Sequence, residues 1–364
     1  MPVDRLIVPP LEARPLCSIV IPCLNEQRDI EAVVRGAMEQ RYPPHQLEIL
    51  VADGGSTDAT RAIVARLAAE DPRVQLVDNP GRFPSAGMNA GIRRARGAVI
   101  VRMDAHAAYA ADYVLASVEA LRQTGASNVG GAARARHRST FQRAVSAALS
   151  SPLAVGGSAY RDPTREGFVE TVFNGAFRRE VLEHVGLYDE RARTNEDAEL
   201  NQRIIEAGGR VFLSRAIVAF YYPRATLRGL AAQYFGYGQG RARTLLRRRR
   251  LLSARPLVPF AALTIFAVLS VFAALVPGTA WLLAMACELY VGVVVVEAAR
   301  LAATDLRFFP LLITIFPVMH AAHGLGVWEG LFRFTGVDLD LDRDRDRDRV
   351  RDRDRDLDPQ RAAR

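Results

Sequence analysis

The sequence predicts an α/β protein: an open, mostly parallel sheet followed by C-terminal transmembrane helices. Three observations predict it. Buried-strand patterns alternate with helical ones from Cys17 to Met103. Polar residues able to do chemistry, Asn25, Glu26, Asp53 and Asp104, fall just past the ends of those strands. Residues 256–336 are far more apolar than the rest and contain three long runs nearly free of charge.

Residues 1–15 read as an N-terminal extension without a long apolar stretch, so a cleaved signal peptide is not expected and the first domain is expected to stay cytoplasmic. Cys17–Pro22 reads as a buried strand, and Glu26–Met38 as a helix with Ile30, Val33, Val34 and Ala37 on one face. Leu47–Val51 is a second strand and Thr57–Leu67 a second helix, with Ser56 or Thr57 as its N-cap. A short strand at Val74–Val77, a helix opening on proline at Pro84–Ala95 and a strand at Ala98–Met103 follow. This alternation implies parallel pairing through right-handed crossovers. In such sheets ligands bind beyond the carboxyl ends of the strands.

Residues 125–175 are irregular and rich in Gly and Ser. A helix is expected from Thr194 to Ala207, then strands at Val211–Leu213 and Ile217–Phe220. The catalytic domain is expected to span 16–225, and a basic amphipathic helix 226–255. Leu257–Val276, Trp281–Val296 and Phe308–Trp328 are the apolar runs, giving two or three membrane helices within 256–336. The first is long enough to cross ~30 Å of hydrocarbon. The Arg-rich run before it, Arg241 to Arg250, is expected to stay on the cytoplasmic side. The tail 337–364 alternates Arg and Asp and is expected to be disordered.

The net charge is +8, and all 48 basic residues are arginine. Interleaved aspartates cancel the field of the tail, which argues against nucleic acid as a partner. Cys17, Cys23 and Cys287 are odd in number and dispersed, which excludes a disulfide framework and a zinc spacing. Cys17 and Cys23 read as core residues.

Three motifs can carry chemistry. Asp53-Gly-Gly-Ser-Thr-Asp58 ends a strand in a tight turn before a helix, where Asp53 could accept from a base or ribose. A simple capped turn is the other reading. In Arg102-Met-Asp104-Ala-His106, positions 104 and 106 point the same way along an extended chain, so a carboxylate and an imidazole could share a divalent cation, Mn²⁺ or Mg²⁺. Thr194-Asn195-Glu196-Asp197 opens a helix, where acidic residues complement the dipole or supply a base.

Taken in order with Pro22-Cys-Leu-Asn25-Glu26, these motifs resemble family 2 glycosyltransferases of the GT-A fold over residues 16–250. "RMDAHA", "FNGAFRREV", "GLYDE" and "TNEDAELNQRI", with the apolar segments after them, resemble the bacterial succinoglycan-biosynthesis (ExoA-like) membrane glycosyltransferases. The resemblance implies an inverting hexosyltransferase in surface polysaccharide synthesis. It would move a sugar from a nucleotide-diphosphate donor to a lipid-linked or growing saccharide acceptor. Its place would be the inner or plasma membrane, multi-pass, with the catalytic domain cytoplasmic.

Pro22, Asn25, Glu26 and Asp53 would line the nucleoside pocket. Asp104, with His106 in place of the usual second aspartate, would hold the metal and diphosphate. Asp197 would deprotonate the acceptor hydroxyl, with Glu196 beside it. Gln233 and Tyr237 could touch the acceptor. They sit where processive relatives carry Gln-x-x-Arg-Trp, and Gly236 replaces the arginine, which weakens a processive synthase as the alternative. A non-catalytic nucleotide-binding membrane scaffold is the other alternative, and the intact Asp53, Asp104 and Asp197 argue against it.

Overall fold

The computed structural model describes residues 8–155, 158–191, 194–248 and 254–334. The expected tail, Gly156-Gly157 and the Arg249-Arg250 end of the basic run lie outside the described residues. The described residues fall into two compact units, one within Met1–Leu230 and Cys287–Val318, the other within Ala231–Ala286 and Met319–Arg364.

The first unit begins with β1 (Cys17–Cys23), α1 (Ile30–Met38), β2 (Leu47–Asp53), α2 (Thr60–Glu70), β3 (Val74–Asp78), α3 (Pro84–Arg94) and β4 (Val99–Arg102). These follow the expected order, and β3-β2-β1-β4 pair in parallel. Next come β5 (Ala107–Tyr109), α4 (Tyr113–Thr124), β6 (Asn128–Gly131), β7 (Ala133–Ala135), α5 (Thr140–Leu149) and α6 (Pro152–Val155). Then follow β8 (Gly167–Val169), β9 (Phe173–Arg178), α7 (Arg179–Val185), α8 (Glu196–Glu206), β10 (Val211–Leu213) and β11 (Ala219–Tyr221). The stretch read as irregular therefore holds several strands and the helix α5, whose N-cap Ser139 accepts from the Gln142 N–H at 3.2 Å.

The main sheet has the order β3-β2-β1-β4-β9-β6-β10-β8, in which β9 runs antiparallel between β4 and β6. A second sheet, β5-β11-β7, starts one residue after His106. Because side chains alternate across a strand, each buried strand feeds two cores. Ile19, Ile21, Ile49 and Val101 face Ile30 of α1, Leu67 of α2 and Val118 of α4. Val20, Leu50 and Ile100 face Met88 of α3, Val181 of α7 and Ile204 of α8. Cys17 and Cys23 are free and buried, and burial pushes each thiol up to about 12.

Three helices are long and apolar enough to cross a membrane: Arg255–Leu275, Ala280–Ala302 and Phe308–Arg333, with mean hydropathies of 2.4, 2.0 and 1.5. They contain α10 (Val258–Leu275), α11 (Ala280–Ala302) and α12 (Phe308–Arg333), preceded by α9 (Leu227–Arg248). Exposed Val271, Leu275, Trp281 and Leu289 give these helices an apolar surface suited to lipid. The protein is membrane-associated. In the second unit, a Cβ on Gly326 would meet the Phe235 backbone and one on Gly330 would lie 3.1 Å from the Gln239 Cα, so the G-x-x-x-G of α12 faces α9.

Gly91 of α3 and Gly36 of α1 make a controlled pair. A Cβ at Gly91 would collide with the Val20 side chain, whereas nothing lies within 4 Å of one at Gly36. Gly91→Ala should cost about 1–3 kcal/mol by overpacking, and Gly36→Ala should gain about 0.5–1 kcal/mol from helix propensity. Melting of the detergent-solubilised variants checks this, and the reverse order of melting temperatures would show that the packing of α3 on β1 is wrong.

Candidate active site

The site lies at the carboxyl ends of β1, β2 and β4. The backbone of Asn25, just past β1, is left-handed (φ 57°), a conformation Asn tolerates. This turns its side chain toward the loop after β2. Its Oδ1 accepts from the Thr57 N–H at 2.9 Å, and its own N–H donates to Ser56 Oγ at 2.8 Å. Glu26 N–H donates to Thr60 Oγ1 at 2.8 Å, and Gln27 N–H to Asp58 Oδ2 at 3.2 Å. Asp58 Oδ1 also accepts from the Thr60 N–H at 3.0 Å. These bonds draw the first turns expected of α1 and α2 into loops, so the helices start at Ile30 and Thr60, with Ala59 rather than Ser56 or Thr57 at the N-cap of α2.

Asp53 is buried and heavily bonded. Its Oδ2 accepts from the N–H groups of Gly55 and Ser56 at 3.0 and 3.1 Å and from Arg61 Nη1 at 2.8 Å. Its Oδ1 accepts from Ser56 Oγ at 2.5 Å. Burial pushes the carboxyl up, but these hydrogen bonds outweigh it and hold Asp53 below its usual range. Arg61 also reaches Asp78 at the end of β3, at 3.0 Å. A Cβ on Gly54 would lie 3.0 Å from the Arg82 carbonyl oxygen, so glycine lets the loop after β3 close over this turn. Pro22 packs against α3, where a Cβ on Gly87 would lie 2.9 Å from its ring.

The second half of the site is built around Arg102, which is 6% exposed at the end of β4. Its Nε donates to Asp104 Oδ1 at 2.9 Å. Its Nη1 donates to Glu196 Oε1 at 3.1 Å and Asp197 Oδ1 at 2.8 Å. The Tyr188 hydroxyl donates to the same Asp197 oxygen at 3.0 Å. The Asp104 N–H donates to the Tyr109 hydroxyl at 2.5 Å, which also accepts from Asn174 Nδ2 at 2.6 Å. His106 Nδ1 lies 3.0 Å from Glu26 Oε1. The expected nucleoside-side and metal-side residues are thereby joined.

Burial pushes Asp104 up, yet the charges of Arg102 and His106 hold it below the usual carboxylate range. Glu196 and Asp197 move the other way. Burial raises both beyond what Arg102 offsets, and the charge of Asp104 raises Asp197 further. His106 is raised by its bond to Glu26 and, beyond a smaller opposing effect of burial, by the charge of Asp104. Among the described residues, no group of three or more His, Cys, Asp or Glu is gathered as a metal cage.

Glu196 and Asp197 open α8, whose N-cap Asn195 is left-handed (φ 59°) with no side-chain cap. Gln233 Nε2 donates to the Tyr237 hydroxyl at 3.0 Å along α9, in the second unit. Sequence reasoning missed Arg61, Asp78, Arg102, Tyr109, Asn174 and Tyr188. Arg102 had a usable signal, since it precedes Asp104 and His106 at the same two-residue spacing, and Asn174 and Tyr188 lie inside the quoted "FNGAFRREV" and "GLYDE" segments, which were given no roles.

A family model for glycosyl transferase family 2 matches residues 18–186. The succinoglycan biosynthesis protein ExoA of Rhizobium meliloti (strain 1021) is 39% identical over 322 residues, covering 87% of this chain and 95% of that protein. The chain belongs to glycosyl transferase family 2. It is a glycosyltransferase.

This family 2 glycosyltransferase is also 27% identical over 229 residues to a Methanococcus voltae dolichyl N-acetyl-alpha-D-glucosaminyl phosphate 3-beta-D-2,3-diacetamido-2,3-dideoxy-beta-D-glucuronosyltransferase, covering 61% of this chain and 71% of that one. Among solved structures, a mannosyltransferase of Pyrobaculum calidifontis in complex with GDP-mannose and Mn²⁺ superposes with a TM-score of 0.60 at 23% identity, covering 89% and 90% of the two chains. That likeness shows the GT-A fold.

Asp53→Asn tests the turn of this glycosyltransferase directly. Either Oδ2 would be replaced by a donor facing the N–H groups of Gly55 and Ser56 and the Arg61 guanidinium, or Oδ1 by one facing the Ser56 hydroxyl. The unfolding free energy should fall by about 1–3 kcal/mol. Wild-type melting behaviour in detergent would show that the carboxylate does not hold the turn.

Proposed function

We propose that this glycosyltransferase moves a sugar, with inversion at the anomeric carbon, from a nucleotide-diphosphate sugar to a lipid-linked or growing saccharide in surface polysaccharide synthesis. The observation that carries the reading is the Arg102 cluster. It brings Asp104 from the end of β4 and Asp197 from the start of α8 into one buried group beyond the strand ends. The names of the relatives support the substrate classes: succinoglycan for one, GDP-mannose for the structural neighbour.

Pro22, Asn25, Glu26 and Asp53 line the nucleoside side in this reading. The acceptor hydroxyl attacks the anomeric carbon as its proton passes to Asp197. The bond between that carbon and the diphosphate oxygen breaks, and the nucleoside diphosphate leaves with the electron pair. A base with its pKa moved up toward neutrality transfers protons more effectively, and burial moves Asp197 that way. Glu196, on the same guanidinium, adds negative charge beside the base.

The donor set fits a divalent cation, Mn²⁺ or Mg²⁺. Three carboxylates, Asp104, Glu196 and Asp197, face one guanidinium, which leaves uncompensated negative charge. Asp104 and His106 would hold the ion, with diphosphate oxygens completing its shell. When bound, it would neutralise charge on the leaving diphosphate. Gln233 and Tyr237 are proposed acceptor contacts.

Asp197→Asn keeps the shape at the helix start but cannot take a proton. Turnover should fall by ~10² to 10⁴ while nucleoside-diphosphate affinity stays close to wild type. Both are measured on membranes with a UDP- and GDP-sugar panel and lipid-linked acceptors. Turnover above about a tenth of wild type would remove Asp197 as the base.

We also propose a multi-pass arrangement in the cell membrane with the catalytic domain, residues 16–225, cytoplasmic. Within the first unit, Ser151 Oγ donates to Glu297 Oε1 at 2.5 Å, and Arg143 pairs with Asp305 at 3.7 Å. The end of α11 is thus anchored to the catalytic domain. Its 23 residues, at ~1.5 Å each, outreach ~30 Å of hydrocarbon. A cysteine at Gly278 should be labelled only from outside and one at Arg307 only from inside. Labelling of both from one side would overturn the arrangement.

A further inference from the structure

Asp197 uses its two oxygens unequally. Oδ1 accepts from Arg102 Nη1 at 2.8 Å and from the Tyr188 hydroxyl at 3.0 Å. Among the described residues, Oδ2 accepts no hydrogen bond. Glu196 shares the guanidinium but has a less open side chain, 13% exposed against 26% for Asp197.

Tyr188 is itself held on both sides. The Asn89 side chain of α3 clamps its backbone: Nδ2 donates to the Tyr188 carbonyl at 2.8 Å, and Oδ1 accepts from the Tyr188 N–H at 2.9 Å. Its ring packs edge-on against Phe177 of β9, with centroids 6.1 Å apart. The residue is 3% exposed. Burial, with the charge of Asp197 added, pushes the phenol well above its ordinary range, so it keeps its proton and acts as a donor. Arg102 is fixed equally well, since its Nε is tied to Asp104 on its own strand end.

We propose that Tyr188 and Arg102 are a positioning pair that pins one oxygen of Asp197 and leaves Oδ2 as the atom that receives the acceptor's proton. The inference rests on the reading of Asp197 as the base. The chemistry balances within it. The hydroxyl proton moves to Oδ2, Tyr188 keeps its proton and Arg102 its charge. A carboxylate free to rotate about its last torsion would offer either oxygen, and misplacement of about 1 Å is enough to cost ~10²-fold in rate. Arg102 touches Asp104 as well as Asp197, while Tyr188 touches only Asp197 of these two. The pair can therefore be separated experimentally.

The groups facing Asp197 are Arg102, Asp104, Glu196, Tyr188 and Tyr113. Removing the Tyr188 hydroxyl removes a hydrogen-bond donor that lowers Asp197. The base then takes up its proton at higher pH. The acid limb of the kcat profile, where the protonated base is inactive, moves up.

The test uses the full-length protein in membranes, with the UDP- or GDP-sugar that wild type turns over and a lipid-linked acceptor. Tyr188→Phe preserves the ring against Phe177. It should lower kcat about 10- to 100-fold, leave the donor KM and the affinity for UDP or GDP unchanged, and move the acid limb to higher pH. Arg102→Gln should lower kcat and weaken nucleoside-diphosphate binding together, and Arg102→Lys should recover part of the kcat. A Tyr188→Phe protein with wild-type kcat overturns the pair. So does one whose kcat falls together with its melting temperature while the acid limb stays in place. Asp197→Asn is run beside them. If it keeps turnover, the base assignment itself fails, and if it is inactive while Tyr188→Phe is normal, only the positioning inference fails.

Discussion

Arg102 is a nearly buried guanidinium bonded to three carboxylates, and the geometry of the site depends on that arrangement. Asp104 belongs to the loop after β4, whereas Glu196 and Asp197 belong to the first turn of α8, more than ninety residues later. Without a cation between them, these carboxylates would repel one another at close range in a poorly solvated place. Removing one partner of a buried ion pair typically costs about 3–5 kcal/mol, because the other charges stay buried. The start of α8 is therefore held where Arg102 can reach it. Arg102 is in turn placed by β4, which lies between β1 and β9 in the main sheet.

The same economy of groups appears at the ends of β1 and β2, the proposed nucleoside side. The loops after β1 and β2 are stitched by reciprocal bonds involving Asn25, Ser56, Thr57, Asp58 and Thr60. Asp53 is saturated by its own turn and by Arg61, which continues to Asp78. Residues that a motif presents as ligand contacts first hold each other. Side chains locked in this way present a preorganised surface, and preorganisation is what lets a site act without reorganising during the reaction.

Within the first unit, polar contacts tie the end of α11 to the rest of that unit. Ser151 reaches Glu297, Arg143 reaches Asp305, and the Arg143 guanidinium lies 5.1 Å from the Phe308 ring centroid. Glu297 also pairs with Arg300, and Asp305 with Arg307. In the proposed multi-pass arrangement this cluster of charges would lie where the helix leaves lipid, because charges buried in hydrocarbon are costly.

Much of this protein was legible in its sequence. The parallel half of the sheet could be read because each strand is a short apolar run, closed by turn residues and followed by a helical period. The three apolar helices could be read from length and composition alone. Helix starts were read too early at α1 and α2, because side chains of one loop satisfy the backbone of the other, contacts between residues 34 and 31 positions apart. The strands and two helices within 125–175 were missed, since short strands such as β6 and β7 take their partners from β9 and β11 rather than from a local pattern. In the site, Asp53, Asp104, His106, Glu196 and Asp197 stood out by residue type and spacing. Arg61 did not, and the roles of Tyr188 and Asn174 within the quoted "GLYDE" and "FNGAFRREV" segments did not, because a hydroxyl, amide or guanidinium has no periodicity of its own. What the sequence alone determined was the set of local elements and charged candidates, which depend on neighbours along the chain. Which of those charges meet, and which oxygen of Asp197 is left open, was decided only by the tertiary structure, because Coulomb attraction and hydrogen bonding act over a few ångströms of space, whatever the separation in sequence.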